Sequence, residues 1–94
     1  MKSGKAFMSL QNSFFLPMYP YHHNAVQQFD QESSKDYVSH GYINMARWNQ
    51  GFSDWLAKQG AEIVRQENSD AGTERFKFDL ERDKLMFVLR YGKQ

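Results

Sequence analysis

Three histidines, a scatter of carboxylates and a few clustered cations are the side chains here whose chemistry reaches beyond packing. His22 and His23 are adjacent, and His40 stands apart. Metal binding wants imidazoles or carboxylates on one face, for example four residues apart on a helix. Adjacent histidines diverge, and cysteine is absent, so the sequence supplies no metal ligand set. Asp79 with Glu81, and Asp36 with Asp54, come closest to the paired carboxylates of acid–base catalysis. Asp79 falls on the charged side of an alternating segment, and Asp54 on the wet side of a helical one. Both read as solvated. The nucleophile elbow Gly-x-Ser-x-Gly is missing, and so is a glycine loop that would cradle phosphate. Gly51-Phe52-Ser53 lies inside a helical pattern. The expectation is a non-enzyme with no catalytic residue, no metal and no cofactor.

Binding chemistry is better represented. Arg75, Lys77 and Arg90 are expected on one face of a sheet, together with Met86 and Val88. Cations on phosphates and flat groups under bases would suit nucleic acid. The aromatics are expected on the opposite face, so no stacking platform forms, and nucleic acid ranks below protein as a partner. Phe15, Tyr19, Tyr21, Met86 and Val88 are the candidate interaction surface, because a chain this short has one core of limited capacity. Two copies sharing that apolar surplus would make a homodimer. A small-molecule site in an aromatic-lined cavity is a further alternative.

The elements that must position these residues follow from periodicity. Pro17 and Pro20 impose an extended or turning path after Phe14-Phe15-Leu16, which is a candidate strand. Asn24 is a candidate cap for a short helix carrying Val26 and Phe29. Apolar residues at Val38, Tyr42, Met45, Trp48, Phe52, Trp55 and Leu56 trace one helical face. Gly60 stands where a C-terminal glycine belongs. Gly41 and Gly51 interrupt this pattern and allow an alternative, a strand over 36–40 followed by a helix from about Asn44. After Gly60 the period becomes two. A strand is expected from Ala61 to Gln66, a turn over Asn68 to Gly72, and a strand from Thr73 to Leu80 with Phe76, Phe78 and Leu80 inward. A last strand puts Leu85, Phe87, Leu89 and Tyr91 inward.

The sequence therefore predicts an α+β fold, with one main amphipathic helix on a C-terminal three-stranded antiparallel meander and an N-terminal extended segment. Residues 1–94 form a single domain: 1–33 extended or short-helical, 34–60 helical, 61–92 antiparallel strands. The hydrophobic share of 40% and charged share of 24% suit a folded globular protein. A net charge of +1 gives no global field to attract nucleic acid or an anionic membrane. No apolar run approaches the ~20 residues of a membrane span. The basic start Met1-Lys2-Ser3-Gly4-Lys5 leads into no continuous apolar stretch, so no signal peptide is expected. Lack of cysteine suits a reducing compartment, and a cytoplasmic location is the expectation. The functional expectation is an accessory or regulatory protein that acts by protein–protein interaction.

Overall fold

The computed structural model describes residues 14–65 and 74–93. The fold is α+β, and the described residues form three α-helices, a three-stranded antiparallel sheet and a separate two-stranded hairpin. Strand β1 spans Phe14–Pro17 and helix α1 spans Tyr21–Ser33. A 3-10 turn, Ser34–Tyr37, leads into the hairpin of β2 (Val38–Ser39) and β3 (Tyr42–Ile43). Helix α2 covers Met45–Ala57, β4 covers Ala61–Arg65, β5 covers Glu74–Phe78 and α3 covers Glu81–Tyr91. The sheet order is β1-β5-β4.

Residues 34–60 divide differently from the single helix expected. His40 (φ 55°) and Gly41 (φ 83°) both occupy the left-handed region. Two consecutive positive φ angles make the tight turn that joins hairpin strands, and glycine adopts the second at no steric cost. The strand alternative before Asn44 is thus the nearer one. Asn44 then starts α2, its Oδ1 accepting from the Arg47 backbone N–H at 3.1 Å. Gly60, at φ 80°, turns the chain from α2 into β4.

The larger correction is at the C-terminus. The third strand of the expected meander is helix α3, and the sheet takes its third strand from the N-terminus as β1. Alternation over Leu85 to Tyr91 fits a strand, but the residues themselves are helix formers: Glu, Arg, Lys, Leu and Met, with Val88 alone β-branched. Glu81 and Asp83 lie in the first turn and Arg90 in the last, which complements the helix dipole. Phe87 and Tyr91, four residues apart, are the pair that is buried. The turn expected over Asn68 to Gly72 lies outside the described residues.

Sheet register divides the residues into two faces. Phe14, Leu16, Phe76, Phe78, Ala61 and Ile63 share the inner face, where Phe14 and Ala61 flank Phe78, and Leu16 and Ile63 flank Phe76. The helices close over this face. Phe87 of α3 meets Phe76 and Phe78, with ring centroids 4.9 and 5.2 Å away. The aromatic stripe of α2 mostly meets α1 rather than the sheet. Trp48, Phe52 and Trp55 surround Phe29 at 5.2 to 5.4 Å. Two hydrogen bonds lock that contact: Trp48 Nε1 donates to Asp30 at 2.8 Å and Trp55 Nε1 to Glu32 at 3.1 Å. Asn24, expected as a cap for its own helix, sits inside α1. Its side-chain amide donates to the Tyr91 carbonyl at 2.8 Å and to the Lys93 carbonyl, holding the end of α3.

Candidate functional site

Of the five residues singled out for an interaction surface, Tyr21 and Val88 are half-buried and pack on the core. Tyr21 opens α1 with its ring 6.4 Å from Phe87. Tyr19 is exposed in the turn before α1, and Phe15 stands on the outer face of the sheet. Met86 is exposed on α3, which packs on the inner face. The five are therefore spread over different parts of the molecule.

The three cations divide as well. Arg75 and Lys77 project from the central strand on the outer face, whereas Arg90 is in the last turn of α3. Arg90 Nη1 donates to Gln59 at 3.2 Å, beside Tyr91, whose hydroxyl donates to the same oxygen at 2.8 Å. Burial pushes the Tyr91 phenol pKa up, and the Gln59 contact pulls the other way. Across the outer face Lys77 lies between Phe15 and Glu62, and Arg75 between Pro17 and Val64. An aromatic ring does stand beside a cation there, which strand order alone could reveal. Glu62 offsets the charge in the same row, and Lys77 Nζ is 3.9 Å from Asp79.

The solvent side of α3 holds a surface that the strand reading hid. Leu85 is 53% exposed, Leu89 72% and Met86 40%. On a helix, residues two apart lie roughly 200° around the axis, so Phe87 and Tyr91 inward place Leu85 and Leu89 outward. The signal was present as two interleaved pairs at four-residue spacing. A smaller apolar knuckle occupies the hairpin, where Val38 pairs with Ile43 beside an exposed Tyr42.

An open cleft of about 910 Å³ lies between α2, the start of α1 and the β4 side of the sheet. Phe52 and Leu56 form part of its floor, and Glu62, Glu74, Lys77 and Asp79 stand around it. His22 lines it too, edge-on to Phe52 at 5.8 Å. Burial lowers the His22 pKa, Glu74 opposes that shift and His23 adds to it. His22 and His23 diverge, as adjacent residues must on a helix: His23 is exposed. His40 contacts only its neighbour Ser39 Oγ, at 3.0 Å, among the described contacts. Asp54 accepts from Gln50 on the exposed face of α2 at 3.0 Å, and Asp36 is exposed in the 3-10 turn. Among the described residues no three of His, Asp and Glu converge on a point that would hold a metal. No helix among them is long and apolar enough to cross a membrane. Comparison with protein-family models, with curated proteins and with solved structures finds no match to this chain.

Proposed function

We propose that this chain is a small non-enzymatic accessory protein that acts by binding another protein, and that it docks that partner on the solvent side of α3. The observation that supports this is the contiguous stripe of Leu85, Met86 and Leu89, exposed while Phe87 and Tyr91 of the same helix fill the core. Single exposed apolar residues are ordinary, but a run along one helical face marks a contact surface. Arg82 and Arg90 flank the stripe, and Lys93 lies just past its end. The partner is thus an apolar surface rimmed by carboxylates.

Self-association is a second reading, supported by a different observation. No described element covers the outer face of the sheet, where Phe15 remains 42% exposed. Lys77 and Glu62 share a row on that face, so two copies facing each other would set unlike charges together.

The test of the first reading is affinity capture from the native cell with two tagged variants. Leu85→Asp with Leu89→Asp should lose the captured partner and keep the helical circular dichroism of the parent chain. Arg75→Ala with Lys77→Ala should retain it. A partner that survives the α3 changes would refute the docking face.

A further inference from the structure

A recess of about 580 Å³ lies where α1, the end of α2 and the last turn of α3 meet. Small-molecule sites occupy roughly 300–1,000 Å³. Trp55, Leu89 and Tyr91 form its apolar walls. Trp55 is half-buried against Phe29, Phe52 and Tyr91, which fixes its ring, and Leu89 is exposed. Of the α3 stripe, only Leu89 belongs to the recess.

The polar groups here have used most of their acceptors on one another. Both Glu32 oxygens accept, one from Trp55 Nε1 at 3.1 Å and the other from Gln28 Nε2 at 2.6 Å. The Gln59 side-chain oxygen accepts from Arg90 and from Tyr91. Carbonyls at the helix ends are spent as well: Leu56 and Ala57 accept from the Gln59 and Gly60 N–H groups, and Tyr91 from Asn24. The donors are in surplus. Lys58 and Lys93 enter no ion pair among the described residues, and Arg90 commits a single guanidinium nitrogen. Glu32 is the one carboxylate among the described lining residues. Asp54, one turn before Lys58, accepts from Gln50 on the exposed face of α2. Three cations against one carboxylate and the half-charges at the ends of α2 and α3 leave the recess positive by about one unit.

We propose that this recess binds a small aromatic carboxylate, its ring against Trp55 and Leu89 and its carboxylate on Lys58 and Arg90. A fixed indole gives a flat ligand rigid apolar surface to lie on. Charge-assisted hydrogen bonds are about twice as strong as neutral ones, and a planar guanidinium matches the two oxygens of a carboxylate. Gln59 orients Arg90 for this, and is itself held by the Tyr91 hydroxyl. A cationic ligand would find the same Trp55 ring but would meet three like charges.

The experiment is an NMR titration of the full isotope-labelled chain with naphthoate. Naphthamide keeps the ring and removes the charge, and naphthylmethylammonium reverses it. Naphthoate should give saturable shifts at the Trp55 indole N–H and at the backbone of residues 58–59 and 89–91. The amide and the ammonium should bind about tenfold or more weaker, and the naphthoate affinity should fall as salt rises. Lys58 and Arg90 are exposed, so Lys58→Met and Arg90→Met should keep the fold. Each should weaken naphthoate by about threefold or more and leave the amide unchanged. Leu85→Asp, outside the recess, should leave naphthoate binding intact, so this site and docking on the α3 stripe stand or fall separately. Equal binding of the three probes, absence of saturable binding, shifts confined to other parts of the chain, or full affinity in both methionine variants would overturn the proposal. The comparison of the three probes on the unaltered chain decides it even where a variant fails to fold.

Discussion

Gly51 lies in the middle of α2, where glycine ordinarily costs a helix about 1 kcal/mol relative to alanine. Its reason is Tyr37: a Cβ at position 51 would overlap the Tyr37 hydroxyl and ring carbons. The Tyr37 ring is held against Phe29 at 5.8 Å, so it has little room to give way. Gly51→Ala should therefore destabilise, by about 1–3 kcal/mol in a urea titration, as overpacked sites do. Stabilisation by the ordinary propensity gain would show that Tyr37 moves freely. His22 gives a second expectation. Its folded pKa lies below the ordinary 6.5 because burial disfavours the imidazolium. The unfolded chain therefore takes up the proton first as pH falls. The His22 contribution to stability is complete above about pH 6.5 and declines as pH drops through that value toward the lower folded pKa. The melting temperature should fall between pH 7.5 and pH 5, and His22→Gln should flatten that slope; an unchanged slope would show that another group controls it.

At the scale of the element, α3 is where strand and helix make opposite demands on adjacent residues. A strand with Phe87 inward buries Leu89 and exposes Val88. The helix exposes Leu89 and packs Val88 against the core. Leu89→Asp should then change stability by no more than about 0.5 kcal/mol, as exposed substitutions do. Val88→Asp should cost about 2 kcal/mol or more, because it brings a carboxylate against apolar surface. The reverse order in thermal or denaturant unfolding would refute the helix. The same geometry redistributes the aromatic core. Trp55 is half-buried with its indole bonded to Glu32, whereas Phe29 is almost fully buried among four aromatic rings. Phe29 is the more sensitive position: Phe29→Ala should cost about 3–5 kcal/mol, and Trp55→Ala less.

At the scale of the whole molecule, the three helices among the described residues pack on one side of a three-stranded sheet, and the other side carries Phe15, Pro17, Glu62, Val64, Arg75 and Lys77. If two copies share that side, gel filtration with light scattering should report about twice the chain mass of 11.1 kDa, and Phe15→Asp should return it to one copy. A mass of 11.1 kDa across a tenfold dilution would leave that face to a different partner or to solvent. Sequence by itself determined a good deal here: the α+β class, the helix from Met45, the alternation of β5 and the turn at Gly60. Each is a local matter, decided by spacing and backbone preference within a few residues. Tertiary structure decided the rest. Leu85 to Tyr91 has apolar residues at spacings of two and of four, and so satisfies both periods. Burial of the Phe87–Tyr91 pair selected the helix. Once that segment left the sheet, the β5 edge was open to Phe14–Pro17, about sixty residues earlier in the chain. That pairing put Phe15 beside Lys77 and made β5 the central strand of the three described, and no local pattern encodes it, because it depends on contacts between segments far apart in sequence.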